Sequence, residues 1–281
     1  MSSGIAYHSI VHPTDFSDLS IDAFAHAMRM AVATKSDLHV LHVAQDEIAR
    51  ELAFPHARRL LVQWGLLGDD DPLSATVAKL GMEIENVRLI GLNPTQGIVS
   101  FLERHPSDLV VFATHGRDGI QNWLHGSVSE TVLRSSAIPT LLIPPSAHGF
   151  ISQVSGDIAL RRVLVPVDFL PAPREALETI QRLIAVLGSA NVVLHILHVG
   201  ASAPSLDVAS MTKIFVPPVL IRSGDVVASI IEAAFEFEVD FIGMPTAGHH
   251  GILDAIRGST TERVIRHAPC PVLAIPTPLI S

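Results

Sequence analysis

Thr114-His115-Gly116-Arg117-Asp118-Gly119 leads through Gly126-Ser127-Val128-Ser129-Glu130 to Ile138-Pro139-Thr140-Leu141-Leu142-Ile143-Pro144: a small-residue turn, a helix opening and an apolar strand in succession. The same order returns as Thr246-Ala247-Gly248-His249-His250-Gly251, then Gly258-Ser259-Thr260-Thr261-Glu262, then Cys270-Pro271-Val272-Leu273-Ala274-Ile275-Pro276. Gly116/Gly248, Gly119/Gly251, Gly126/Gly258 and Pro139/Pro271 all stand 132 positions apart. Chance composition does not hold one spacing through four turn-forming landmarks, so the chain carries one unit twice.

The duplication extends outward from these loops. Ser9-Ile10-Val11-His12-Pro13-Thr14-Asp15 is an apolar run ended by a turn and an acid, and Asp18 to Thr34 then places apolar residues at helical spacing. Arg162-Val163-Leu164-Val165-Pro166-Val167-Asp168 followed by Ala172 to Leu187 repeats it. Leu38 to Val43 and Val193 to Val199 read as second strands, Val87 to Ile90 and Val219 to Ile221 as third strands, and Asp108 to Phe112 and Asp240 to Gly243 as fourth strands. Helices are expected over Thr95 to Arg104, over Asp225 to Glu238, and from Ser127 and Ser259 onward, with last strands at Leu141 to Ile143 and Val272 to Ile275. Strands alternating with helices predict an α/β fold with a doubly wound parallel sheet in each half, because right-handed crossovers place helices above and below. The offset falls from 156 at His42/His198 to 132 at the later landmarks, so the second half lacks the region matching Glu47 to Leu80 and its second crossover should be shorter. Domains are expected over 1–147 and 158–281, with Ala147 to Asp157 as a surface linker, and Asp69-Asp70-Asp71-Pro72 as a solvated turn before a short helix.

Composition narrows the class. A hydrophobic share of 48% with few aromatics suits aliphatic strands buried on both faces. No apolar run approaches the ~18 residues of a membrane span, and Met1 to Ser9 has no leader pattern, so a soluble cytoplasmic protein without a membrane partner is expected. The net charge is −9, with 10 basic against 16 acidic residues through Pro145 and 9 against 12 from Ile151 onward. Neither half has the electrostatic footprint of a nucleic-acid partner. Cys270 is the only cysteine, which excludes an internal disulfide and reads as a small apolar residue beside a strand.

A strand, a glycine turn and a helix opening at Gly-Ser offer unpaired backbone N–H groups and a helix dipole to an anion. Gly116 and Gly126 allow close approach to phosphate oxygens, Ser127 can donate a hydroxyl, and Asp15 and Asp168 end the first strands at the same edge, placed for a base, a ribose or Mg²⁺. Against this, Ser127-Val128-Ser129-Glu130 and Ser259-Thr260-Thr261-Glu262 are also capping boxes, which satisfy helix ends with no ligand. His39 with His42 and His195 with His198 stand three apart on strands, which sends each pair to opposite faces. His249, His250 and His267, or His115 with His125, could gather in a loop around zinc, but no complete zinc spacing is present. G-x-x-x-x-G-K-[ST], G-x-S-x-G and H-E-x-x-H are all missing, which favours binding over turnover.

With Val11-His12-Pro13-Thr14-Asp15-Phe16-Ser17, Leu41-His42-Val43, the Gly116 to Glu130 run and their second-half counterparts, the chain resembles a tandem universal stress protein over nearly its whole length. The ATP-binding branch of that family carries G-x-x-G, nine residues, then G-[ST], and both Gly116 to Gly126 and Gly248 to Gly258 keep that gap. The resemblance implies two tandem, doubly wound, parallel five-stranded sheets of the adenine nucleotide alpha hydrolase-like, Rossmann-like kind, related by a pseudo-twofold. It implies that ATP, or AMP or ADP, with Mg²⁺, meets Pro13, Thr14, Asp15, Val43, Ala113, His115, Gly116, Gly126, Ser127, Val128 and Ser129 in the first half. In the second half it points to Val167, Asp168, Val199, Gly248, Gly258, Ser259, Thr260 and Thr261. The first glycine of the motif is Ala113 in one half and Pro245 in the other; alanine keeps its N–H, proline has none, so half one is the expected nucleotide site and half two a degenerate one. The family's pairing through last strands implies a pseudo-dimer within the chain, with a homodimer as a further option. The function implied is nucleotide-dependent regulation in the stress response rather than fast catalysis. A nucleotide-free interaction module and a slow ATPase or metal-binding stress protein are the alternatives.

Overall fold

The computed structural model describes residues 7–18, 20–44, 57–114, 128–145, 147–208, 211, 213–247 and 260–277. The chain forms two compact units, one of Met1–Ile138 with Ile151–Asp157, the other of Pro139–Phe150 with Ile158–Ser281.

In unit one, β1 (Ser9–Pro13), β2 (Asp37–Ala44), β3 (Ile84–Ile90) and β4 (Leu109–Ala113) pair in parallel in the order β3-β2-β1-β4. Every residue of β1 is buried, as a central strand covered on both faces requires. Helix α1 (Ser20–Thr34) joins β1 to β2; α2 (Ala57–Gln63) and α3 (Ala75–Leu80) lie between β2 and β3; α4 (Pro94–Arg104) joins β3 to β4; and α5 (Val128–Ser135) follows β4. The start of α4 is fixed by sequence: Asn93 accepts the Thr95 N–H on its side chain, and Pro94 occupies the first turn.

Unit two repeats the plan with β6 (Arg162–Pro166), α6 (Arg174–Val186), β7 (Val192–Val199), β8 (Ile214–Phe215), β9 (Leu220–Arg222), α7 (Val226–Glu236), β10 (Phe241–Ala247), α8 (Thr260–His267) and β11 (Val272–Thr277). Parallel pairs run β11-β10-β6-β7, and both β8 and β9 pair with β7. The missing stretch shows directly: among the described residues no helix lies between β7 and β9, and the two-residue β8, too short to leave a periodic signature, stands in the gap. β5 (Thr140–Ile143), from the end of the first repeat, runs antiparallel to β11, with Leu142 opposite Val272, Leu141 opposite Leu273 and Thr140 opposite Ala274. These are the two last strands whose pairing within one chain was expected.

One carboxylate anchors the start of the first strand in each unit. Asp108 accepts the N–H groups of His8 and Ser9 at 2.6 and 3.0 Å, and its own N–H reaches the Ser9 carbonyl at 2.9 Å. Asp240 accepts from Arg161 and Arg162 at 2.6 and 2.7 Å and returns its N–H to the Arg162 carbonyl at 2.7 Å.

The expected linker is no free tether. Phe150 is buried with its ring 5.8 Å from Phe241, and His148 donates its N–H to Pro269. Residues Ile151–Asp157 lie on unit one as a strap: Trp64 donates its indole N–H to Gln153 (3.0 Å), Gln63 reaches Val154 (2.9 Å) and Arg29 reaches Gly156 (2.7 Å). Gly156 has a φ of +72°, and a Cβ there would lie 2.6 Å from the Trp64 ring. Asp69 and Asp70 are exposed, while Asp71 pairs with Lys79, whose ammonium, with the Gly68 N–H, holds that carboxyl below its usual range. Cys270 is buried beside β11, and burial pushes its thiol up to about 12. Among the described residues no helix is long and apolar enough to cross a membrane.

His12 is a polar residue at the centre of this core. Its Nδ1–H donates to the Val111 carbonyl at 2.9 Å, and its Nε2 is buried without a partner. Burial depresses its pKa from 6.5 to about 4. Val165 takes the corresponding place in unit two, three residues before the acid. An imidazole with a depressed folded pKa takes up its proton only on unfolding. Its contribution to stability is therefore complete above pH 6.5 and is lost as pH falls towards about 4. His12→Val should spare unit one a loss of roughly 3 kcal/mol across that window. Denaturant melts at several pH values check this, and parallel curves for variant and wild type would refute it. His26, also buried with a lowered pKa, keeps part of the slope in the variant.

The strap yields a second expectation. Gly156→Val places branched atoms where the Trp64 ring lies, so limited proteolysis should cut within residues 151–157 faster than in the wild type, with the two units still folded by circular dichroism.

Candidate functional site

In the order β3-β2-β1-β4 the chain moves outward from β1 to β2 and β3, then crosses back to β4. The carboxyl ends of β1 and β4 therefore flank the point where strand order reverses, the place where open α/β sheets receive ligands. Pro13, Thr14 and Asp15 leave β1 at this edge, Val43 sits near the end of β2, Ala113 is the last residue of β4, and Val128 and Ser129 open α5. The same edge of unit two carries Val167 and Asp168 after β6, Val199 at the end of β7, and Thr260 and Thr261 at the start of α8. His115, Gly116, Gly126, Ser127, Gly248, Gly258 and Ser259 lie outside the described residues.

The turn that presents Asp15 is held from both sides. Thr14 donates its N–H to the Leu41 carbonyl at 2.9 Å, and the Thr14 carbonyl accepts the Nδ1–H of His42 at 2.8 Å. A carbonyl cannot donate, so Nδ1 carries the proton. The Thr14 hydroxyl oxygen accepts the Phe16 N–H at 3.1 Å and donates to Ser20, whose own hydroxyl reaches the Ser17 carbonyl at 2.7 Å. Asp15 accepts the Ser17 N–H at 2.9 Å. Phe16 takes a φ of +60°, and its ring lies 4.3 Å from that of His42. A bulky side chain in left-handed backbone needs such surroundings to keep it there.

Unit two keeps the clamp and loses the rest. Val167 donates to Leu197 at 2.8 Å, and its carbonyl accepts the His198 Nδ1–H at 3.0 Å. Valine has no hydroxyl, so the Thr14 network has no counterpart, and Asp168 instead accepts the Phe169 N–H at 2.8 Å. Phe169 meets His198 edge-on at 5.8 Å and is 57% exposed, with Leu170 beside it at 67%. The fourth strands also differ. β4 stops at Ala113, whereas β10 runs on through Pro245 to Ala247, paired with Ile275, Pro276 and Thr277 of β11, and Thr277 donates its hydroxyl to the Thr246 carbonyl at 3.1 Å.

The remaining histidines are dispersed. His39 turns away from His42 to Glu85 (3.1 Å), Phe101 and His105, and His195 stacks on Phe237 at 4.1 Å, away from His198. His267 bonds its own helix at Arg263. His115, His125, His249 and His250 lie outside the described residues. Among the described residues no group of three or more His, Cys, Asp or Glu is arranged around a metal. The sequence marks His42 and His198 as recurring at the second strands but not the carbonyl each one meets, Thr14 or Val167 after the first strand.

The family model described as the universal stress protein family matches residues 6–144 and 212–276. The chain belongs to the universal stress protein family. It is 30% identical over 142 residues to a universal stress protein of Methanocaldococcus jannaschii, covering 49% of this chain and 82% of that protein. A second universal stress protein of the same organism is 22% identical over 159 residues, which is 50% of this chain and 96% of that one. A crystal structure of a universal stress protein from Archaeoglobus fulgidus shares the fold over 95% of this chain and 96% of its own, with a TM-score of 0.65 and 24% identity. The matched segments cover the whole first-half edge but begin in the second half only after β7, so the kinship of Asp168 and His198 to the first repeat rests on the repeated hydrogen bonds.

Val43 packs against a glycine. A Cβ on Gly97 of α4 would lie 2.8 and 2.9 Å from the two Val43 methyls, while the corresponding position of unit two is Ser229. Helix propensity alone would make Gly97→Ala stabilising by up to about 1 kcal/mol. Overpacking against a stiff β-branched side chain reverses the sign, and we expect a net loss of about 1–2 kcal/mol in a denaturant melt. A gain would show that Val43 yields without cost.

Proposed function

We propose that this universal stress protein binds ATP, or the related AMP or ADP, at the carboxyl edge of unit one and acts in the cytoplasm as a nucleotide-dependent regulator of the stress response. The carrying observation is the convergence of Pro13, Thr14, Asp15, Val43, Ala113, Val128 and Ser129 on the point where strand order reverses. Asp15 is assigned to the ribose or to Mg²⁺, Val43 to the base, and the opening of α5 with the glycine motif to the phosphates, where the positive end of the helix dipole favours negative charge. The role proposed is binding, with hydrolysis slow at most, in keeping with a sequence that carries no G-x-x-x-x-G-K-[ST], G-x-S-x-G or H-E-x-x-H pattern.

Unit two is assigned a degenerate edge. Pro245 supplies no N–H, and β10 continues as strand to Ala247, whereas β4 ends at Ala113. The domain division proposed is 1–147 and 158–281, with the nucleotide in the first.

Titration calorimetry with MgATP should give one site per chain. Gly126→Val and Asp15→Ala should each abolish the heat, while Asp168→Ala leaves it unchanged. Two equivalent sites would overturn the assignment of unit two, and undiminished binding in both unit-one variants would remove those residues from the site.

A further inference from the structure

The acid at the proposed nucleotide edge is aimed by a residue that stands on another strand. In each unit the residue before the acid is bonded through both its peptide groups to the second strand: its N–H to Leu41 or Leu197, its carbonyl to the imidazole one position farther on. Both imidazoles are buried, 9% exposed at His42 and 4% at His198. The bond survives although the residue it holds changes from Thr14 to Val167, the neighbouring ring from a tilted stack to an edge contact, and the residue two places on from Ala44 to Gly200. The ring setting in unit two needs that glycine, since a Cβ at Gly200 would lie 2.5 Å from His198 Nε2. Packing around the ring has diverged; donation from Nδ1 has not.

We propose that His42 is a positioning residue: by donating Nδ1–H to the Thr14 carbonyl it fixes the Thr14-Asp15-Phe16 turn in the conformation that presents the Asp15 carboxylate to ligand, with His198 doing the same for Asp168. The consequence for binding rests on the nucleotide reading above; the consequence for the turn does not. Without the donor, the Thr14 carbonyl loses its partner at the hinge of the turn. Phe16, in left-handed backbone and leaning on the same ring, then has alternatives to its present conformation.

The two ring nitrogens allow a discriminating pair of substitutions. Asparagine carries an N–H donor close to the place of Nδ1, and glutamine carries one close to the place of Nε2 while better preserving the volume of the ring. His42→Asn should keep the turn, and His42→Gln should not, if the Nδ1 bond is what matters. Two measurements are made on full-length wild type and both variants. One is amide hydrogen exchange at Phe16 and Ser17, whose N–H groups are bonded to Thr14 and Asp15 within the turn. The other is the affinity for MgATP.

Exchange at those two amides should be near wild type in His42→Asn and about tenfold faster in His42→Gln, with affinity falling by about tenfold in the same variant, the equivalent of one hydrogen bond. Wild-type protection in His42→Gln, or lost protection in His42→Asn with glutamine unaffected, would show that volume rather than donation holds the turn and would overturn the proposal. If the wild type takes up no MgATP, the nucleotide reading falls while the exchange comparison still decides the role of His42. Should either His42 variant fail to fold, the same pair at His198, read at the Phe169 amide, supplies the comparison.

Discussion

The structure depends on the first strand of each repeat being fixed at both ends. β1 and β6 each lie between two parallel neighbours, β1 buried throughout and β6 buried over Val163–Val165, and apolar side chains alone do little to set a strand's position along the sheet. Register therefore rests on polar bonds at the ends. At the amino end one carboxylate gathers two successive N–H groups, Asp108 for His8 and Ser9, and Asp240 for Arg161 and Arg162. At the carboxyl end an imidazole on the neighbouring strand takes the carbonyl before the acid. Each is a side chain meeting backbone, and at the carboxyl end, where the bond is buried, leaving the Thr14 or Val167 carbonyl unpaired would cost about 1–3 kcal/mol. A strand held in this way delivers the residue after it, Asp15 or Asp168, to a defined place on the sheet edge.

Given that shared frame, the differences between the repeats concentrate at the edge itself. Thr14 against Val167 decides whether the turn has an internal hydroxyl to organise it; Ala113 against Pro245 decides whether the fourth strand keeps a donor; and Val43 packs on Gly97 where unit two has Ser229 at the corresponding position. The shortened crossover between β7 and β9 has no counterpart of α2 and α3 among the described residues yet leaves the clamp untouched, because the clamp lies between the first two strands and the deletion lies after them. Duplication has preserved what positions the first-strand acid and let go of what surrounds it.

Much of this was legible in the sequence. Strand and helix order followed from apolar runs alternating with helical periodicity, and the edge followed from turn residues at a constant spacing, both of which are local signals. What escaped detection is non-local. The His42 bond spans 28 positions and the His198 bond 31, and odd spacing along a strand says which face a histidine takes but not what it meets there. The strap escaped for the same reason: Gly156 reads as linker flexibility, while its purpose is to admit the Trp64 ring from 92 residues earlier. β8 is too short to show any period at all.

Charge supplies the last constraint on how such an edge can work. With a net charge of −9 the molecule has no long-range attraction for a polyphosphate, so on the proposed reading nothing steers an anionic ligand in from a distance. Affinity must come from groups acting within a few ångströms: the N–H groups that open α5, the dipole behind them, and a cation able to bridge phosphate to Asp15. Short-range donors are effective only if they stand still, because each ångström of wander costs most of a hydrogen bond. An acidic protein that holds an anion is therefore one in which rigidity at the edge replaces attraction at a distance. That is the physical reason a buried imidazole and a hydroxyl network should both converge on the few residues around Thr14.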